Sequence, residues 1–190
     1  MRTFVAVPLA RGIVREVTNC TSRLRSIDKR GEIRWVQAEN LHLTLAFSGD
    51  IPSEQVPLIC SALEKRVSTL DEFDLELQEI ALFPPGKNPH VLAVIVRSSE
   101  ALVALHQKTN QALKQCGIIL EKRKFRPHIT IGRLKQTRGK KPQIPPYPLF
   151  LKSPVDHISF FKSVLTPKGP HYTSLANISL QQSNALKKDR

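Results

Sequence analysis

Two stretches far apart in the chain, His42-Leu43-Thr44-Leu45 and His128-Ile129-Thr130-Ile131, share one form: imidazole, aliphatic, hydroxyl, aliphatic. Side chains alternate between the two faces of a strand, so each stretch turns its His and Thr one way and its aliphatic pair the other. Leu43, Leu45 and Phe47 in the first copy, and Ile129 and Ile131 in the second, are expected to pin the strand to a core. The upstream pattern repeats too. A helix from about Arg11 and a short strand precede the first motif; a helix from about Ser99 and a short strand precede the second. A chain written twice from one unit is constrained to two like lobes about a pseudo-twofold axis, with a histidine strand on each side of it.

The remaining elements follow from periodicity. Arg2 to Leu9 reads as a strand rich in β-branched residues. Ile13, Val17, Leu24 and Ile27 give the first helix its apolar stripe. Strands are expected at Ile33 to Val36 and Leu41 to Phe47, then a helix from about Ser53 carrying Val56, Ile59, Leu63 and Val67, with Pro57 near its first turn. Phe73 to Phe83 alternates apolar and acidic residues, as a strand with one wet face does, and His90 to Val96 reads as a buried strand. The helix from Ser99 to Cys116 buries Leu102, Leu105, Thr109 and Leu113 and stops at Gly117. Further strands are expected at Ile118 to Leu120, His128 to Leu134, Val155 to Val164 and Leu175 to Leu180. Lys135 to Pro154 holds five prolines and reads as a long irregular loop. The chain is thus one two-lobed domain over residues 1–183, with a basic tail at 184–190 that frays.

Charge points to the partner. Lys and Arg number 29 against 16 Asp and Glu, a formal net charge of +13, which suits an anion. The excess peaks between Glu121 and Lys141, where Glu121 is the single acid among Lys122, Arg123, Lys124, Arg126, Arg133, Lys135, Arg138, Lys140 and Lys141. A solvated loop explains that run, taken alone, equally well. Cys20, Cys60 and Cys116 are widely spaced and form no C-x-x-C pair, which indicates neither a zinc site nor a disulfide framework and makes a reduced compartment the default. Pro8 and the charges at Arg11, Arg15 and Glu16 break the apolar start of the chain too early for a signal peptide. No segment is long enough to span a bilayer. A cytoplasmic protein is expected.

A groove flanked by the two motif strands would contain two imidazoles and two hydroxyls. Hydrolysis of a cyclic phosphodiester needs a base to take a proton from water and an acid to protonate the departing oxygen, and a histidine pair supplies both near neutral pH. Threonine hydroxyls beside them can donate to the non-bridging phosphate oxygens as charge builds there. No metal or other cofactor is expected. With 6 His and ten Thr, chance supplies about 0.3 H-x-T matches, and the chain has three. The third, His171-Tyr172-Thr173, follows Gly169-Pro170 and lacks the aliphatic alternation, so it reads as coincidence, the alternative being that Tyr172 or a neighbour lines the site. His90, His106 and His157 read as structural histidines.

The segments His42-Leu43-Thr44-Leu45-Ala46-Phe47-Ser48-Gly49, Phe125-Arg126-Pro127-His128-Ile129-Thr130-Ile131-Gly132-Arg133 and Gly169-Pro170-His171-Tyr172 resemble the two-histidine phosphoesterase superfamily. Within it they are similar to the RNA 2′,3′-cyclic phosphodiesterases once named 2′-5′ RNA ligases. The resemblance implies an α+β, bilobed, pseudo-twofold fold, with two antiparallel sheets flanking a central groove and helices outside. It implies that His42 protonates the leaving ribose oxygen, that His128 activates water, and that a 2′-phosphate results. Thr44 and Thr130 would bind the phosphate. Arg133 matches a basic position that ends the second motif, yet strict alternation sets it out of phase with His128 and assigns it to the groove rim. Ser48 stands where relatives carry an aliphatic residue; alternation puts it in phase with His42, at the groove floor. The expected partner is RNA or a nucleotide with a cyclic phosphate end, without a membrane, the chain acting as a monomer and with a weak reverse joining of RNA ends. Two rivals are a nucleotide or RNA binding module without turnover, and a phosphodiesterase for another cyclic phosphate or a 2′-5′ oligonucleotide.

Overall fold

A computed structural model describes residues 1–86, 88–135, 144–167 and 169–182. Nine strands and three longer helices follow in the order β1 (Arg2–Pro8), α1 (Arg11–Ile27), β2 (Ile33–Trp35), β3 (His42–Asp50), α2 (Val56–Val67), β4 (Phe73–Phe83), β5 (Val91–Val96), α3 (Glu100–Gln115), β6 (His128–Leu134), β7 (Tyr147–Val155), β8 (His157–Thr166) and β9 (Gly169–Ser179).

The strands hydrogen-bond in the order β7-β4-β5-β6-β3-β1-β8-β9, with β2 added on β6. Every strand pair is antiparallel. The order divides into two four-stranded halves, β6-β5-β4-β7 and β3-β1-β8-β9, which meet where β3 and β6 pair through Leu43 and Ile129. The two expected sheets are therefore joined edge to edge, and the pseudo-twofold axis passes by that one residue pair.

The apolar positions of α2 and α3 share a single core cluster with Leu43, Leu45, Ile129 and Ile131, so one face of the sheet is covered by helices. The helices also interlock the halves. The α3 helix follows β5 of one half and packs on β3 of the other, and α1 follows β1 and reaches β7. The Ser99 hydroxyl caps α3 by accepting from the Leu102 amide at 3.2 Å. At its other end Gly117 has φ of +80°, and the Ile118 amide closes back on the Leu113 carbonyl. Pro57 lies in the first turn of α2, where its missing N–H has no partner to lose.

Four expectations change. Residues Ile118 to Leu120 form no strand: the Ile118 amide is spent closing α3, and Ile119 is 96% exposed with nothing to pair against. Tyr147–Val155, expected within an irregular loop, is strand β7 paired with β4. Its prolines, Pro148 and Pro154, are tolerated because β7 is a sheet edge, where an absent donor breaks no second ladder. In α1 the stripe turns solvent-ward at its end, leaving Ile27 68% exposed while Val17 and Thr21 are buried. The final strand begins at Gly169 instead of Leu175. The expected frayed tail at 184–190, and the middle of the proline-rich segment at 136–143, lie outside the described residues.

Gly132 fixes β2 onto β6. A Cβ there would overlap Ile33 Cγ2 and lie 3.6 Å from Trp35 Cε3. Gly132→Ala should therefore cost about 1–3 kcal/mol through overpacking, read as a lowered urea midpoint with unchanged m-value; an unchanged midpoint would contradict the close approach.

Candidate active site

The core anchors of both motifs are buried as their pattern requires: Leu43, Ile129 and Ile131 at 0% exposure and Leu45 at 3%. That leaves His42, Thr44, His128 and Thr130, all half-buried, on the opposite face. The antiparallel register at Leu43 and Ile129 sets His42 across from Thr130 and Thr44 across from His128. The two imidazoles then form a diagonal pair. In a regular ladder such a diagonal spans roughly 7–8 Å between Cα atoms, room for one phosphate between the ring tips.

Each ring is held the same way. His42 Nδ1 donates to the Asn40 carbonyl at 2.8 Å, and His128 Nδ1 donates to the Arg126 carbonyl at 2.8 Å. A carbonyl only accepts, so both neutral rings carry their proton on Nδ1 and present a bare Nε2. At His42 that nitrogen accepts from the Thr44 hydroxyl at 3.1 Å. Asn40 is in turn tied to the Pro170 carbonyl at 2.9 Å, which fastens the start of β3 to the start of β9.

Both motif strands slip by one residue just after their threonine. On β6, Thr130 pairs with Ala93 and Gly132 with Leu92, so Ile131 is an inserted residue; on β3, Thr44 pairs with Ala6 and Ala46 with Val5, so Leu45 is its counterpart. The carbonyls of the two inserted residues find partners outside the ladder: Leu45 O accepts from His106 Nδ1 at 2.9 Å, and Ile131 O from the Val36 amide at 2.9 Å. His106 is thereby accounted for as a structural group.

The slips change which side chains face the histidines. Arg133, expected out of phase, pairs with Val91 and returns to the His128 face. Its side chain is exposed, and its charge lowers the pKa of both His42 and His128 and opposes the rise at Tyr172. Phe47, expected in the core, occupies the equivalent place on β3. It is 57% exposed, with its ring 6.1 Å from Phe4, which itself lies 4.9 Å from His42. Ser48 is correspondingly displaced from the groove floor: it is buried, and its hydroxyl has no hydrogen-bond partner among the described residues.

Alternation alone also missed the aromatic lining. Phe83 stacks on His128 at 4.1 Å and 22°, while Tyr172 meets His42 edge-on at 5.4 Å and Phe161 lies 6.3 Å away. The His171-Tyr172-Thr173 match supplies no third motif histidine, and the alternative reading of it holds: its tyrosine lies against His42. The Gly169-Pro170 turn ahead of it was the available signal, since Pro170 is the residue Asn40 holds. His90 lies near enough for its charge to lower the His128 pKa. Among the described residues no group of three His, Cys, Asp or Glu is placed to hold a metal ion.

Known proteins bear on this geometry. The family model described as LigT like phosphoesterase matches residues 7–93 and 95–172. The chain belongs to the LigT-like phosphoesterase family. An RNA 2′,3′-cyclic phosphodiesterase of Thermotoga maritima is 31% identical over 182 residues, covering 92% of this chain and 93% of that protein. One of Thermus thermophilus is 32% identical, covering 95% and 91%. A solved structure from Thermus thermophilus superposes with a TM-score of 0.83 at 26% identity, covering 96% of this chain and all of that one. No helix among the described residues is long and apolar enough to cross a membrane.

Burial dominates the electrostatics of this phosphoesterase. It pulls His42 down to about 4; the Asn40 carbonyl opposes this, and Arg133 and His128 add to it. His128 is lowered for the same first reason, with the Arg126 carbonyl opposing. The unfolded chain should bind a proton near pH 6.5 that the native His42 refuses until about 4. Stability is thus unaffected above pH 6.5 and declines as pH falls from there, by at most about 3 kcal/mol from His42. Urea midpoints at pH 7.5 and pH 4.5 should show the loss, and His42→Gln should reduce it; a midpoint independent of pH would contradict the burial.

Proposed function

We propose that the chain hydrolyses RNA 2′,3′-cyclic phosphate ends to 2′-phosphates by paired histidine acid–base chemistry that requires no metal. The observation that supports this most is the Leu43 to Ile129 register, which turns both His-x-Thr motifs onto one face with their unprotonated Nε2 atoms away from the carbonyls that hold Nδ1. The names carried by the Thermotoga and Thermus relatives agree with it.

In the forward step His128 Nε2 takes a proton from water as the water oxygen attacks phosphorus. The bond from phosphorus to the ribose 3′ oxygen breaks, and that oxygen receives a proton from His42 Nε2. Thr44 and Thr130 donate to the non-bridging oxygens, and Arg133 offsets their charge. His42 must carry a second proton to act as acid, although burial strips it from the free protein. The phosphate anion provides the opposite charge that raises its pKa, so binding draws in a proton. If the 5′-hydroxyl of a second RNA replaces water, the same transfers join the ends through a 2′-5′ link, the reverse of cleaving such a link to a cyclic phosphate; this joining is weak because water outnumbers that hydroxyl. The three cysteines are free, as suits a cytoplasmic setting, and every group in the proposed steps comes from one chain, which would act as a monomer.

The test is product analysis of a cyclic-ended RNA with excess chelator present. The expected product is the 2′-phosphate, at a rate unchanged by the chelator. A 3′-phosphate would overturn the regiochemistry, loss of activity with chelator would overturn the metal independence, and tight binding without turnover would favour a binding module.

A further inference from the structure

The basic run near residue 122 does not line the face that carries the histidines. It borders a crevice of about 470 Å³ on the helix-covered side of the sheet, between α3 and the strandless segment that leads back to β6. The α3 wall includes His106, Gln107, Asn110 and Lys114; the opposite wall includes Lys124 and Phe125. A second hollow of about 300 Å³ shares Asn110 and Lys114 and continues along residues 118–122.

The floor is rigid and flat. The His106 and Phe125 rings stack at 3.9 Å, 5° from parallel. Asn110 Nδ2 donates to His106 Nε2 at 3.0 Å, because His106 Nδ1 is committed to Leu45 O; among the described residues no donor meets the Asn110 carboxamide oxygen. The rim is cationic. Glu121 pairs with Arg123 at 3.2 Å, whereas Lys114, Lys122 and Lys124 are exposed and make no ion pair among the described residues. The crevice is also close along the chain to the reacting centre: two residues separate Phe125 from His128, a reach of at most about 10 Å, and the Arg126 carbonyl between them holds the His128 ring.

We propose that this crevice is a second RNA site, which takes one nucleotide of a single strand whose reacting end lies between His42 and His128. Lys114 and Lys124 meet the flanking phosphates, and the half-exposed Phe125 ring, with Gln107 and Asn110 beside it, meets the base. A cationic rim over an aromatic platform is the combination that holds single strands with little sequence preference. The inference rests on the proposed function for the identity of the ligand as RNA, and its test uses a readout that needs no turnover.

That test is binding of a short single-stranded RNA with a 3′-hydroxyl end, which cannot react, to wild type and to the Lys114→Glu/Lys124→Glu double variant across a range of salt. The variant should bind about tenfold more weakly, with the slope of log affinity against log salt shallower by about 1.4, for two lost single-strand phosphate contacts. Its turnover of a nucleoside 2′,3′-cyclic phosphate, too small to reach the crevice, should match wild type. Unchanged affinity and slope would overturn the proposal, as would parallel loss of mononucleotide turnover. A wild-type protein without cyclic phosphate hydrolysis, whose RNA affinity still depends on the two lysines, would sink the proposed reaction and leave the crevice supported.

Discussion

His42→Ala and His128→Ala are each expected to lower turnover of a nucleoside 2′,3′-cyclic phosphate by about 10²–10⁴, the usual worth of a positioned acid or base. The two losses should not multiply. An acid without its base leaves the attacking water unactivated, so the double variant should fall little below the worse single one. Both substitutions remove a half-buried ring without touching the Leu43 and Ile129 anchors, so the fold should survive. Thermal unfolding near neutral pH checks that. Retention of wild-type turnover by either variant would remove that histidine from the chemistry.

The second large effect concerns Arg133. Its charge lowers the pKa of both histidines and reaches Tyr172, so Arg133→Ala should act in two directions. Loss of a cation facing the phosphate should cut kcat/KM by about 10², in the range found when one preorganised charge partner is removed. Loss of its repulsion should let both imidazoles hold a proton to higher pH. The sign follows directly: both pKa values rise, so the acidic limb of the kcat/KM profile moves to higher pH. Arg133→Lys keeps the charge but not the planar fork, and should restore the pH profile better than the rate. A variant with unchanged kcat/KM and an unmoved acidic limb would remove Arg133 from the phosphate site.

How much of this was legible in the sequence can be argued from a few residues. The alternation His42-Leu43-Thr44-Leu45, repeated from His128, disclosed the buried and open faces of both strands, because period-two patterning is local. The pairing of Leu43 with Ile129 joins residues distant in the chain, and only the repeat hinted at it. Strict alternation then failed one residue past each threonine. A bulge is an agreement between two strands, and nothing in Leu45-Ala46-Phe47 or Ile131-Gly132-Arg133 announces that a partner will skip a residue there. That single omission accounts for three errors of phase: Arg133 set opposite to His128, Phe47 in the core and Ser48 on the groove floor. Strand β7 was hidden for another reason. Its prolines argue against a strand in general, and only its edge position removes the objection. Tyr172 was only an alternative because a tyrosine between polar neighbours carries no periodic signal; the Asn40 to Pro170 link holds its strand near His42.

The acid behaviour of the site was invisible for the same reason. A histidine in sequence carries its ordinary pKa, and the descent of His42 to about 4 arises from burial among Phe4, Tyr172 and the opposing strand. A free protein with both imidazoles neutral holds two bases and no acid. Phosphate binding at neutral pH should accordingly take up about one proton, measurable by titration calorimetry in buffers of different ionisation enthalpy. Binding heats that do not depend on the buffer would contradict the linkage.

The most direct measurement is a crystal structure with a nucleoside 2′-monophosphate, the proposed product, bound. The account predicts one phosphate whose oxygens lie within hydrogen-bond distance of Nε2 of His42 and Nε2 of His128 together, with Thr44 and Thr130 on the remaining oxygens. A phosphate held by one imidazole, with the other ring turned to a separate region, would contradict it.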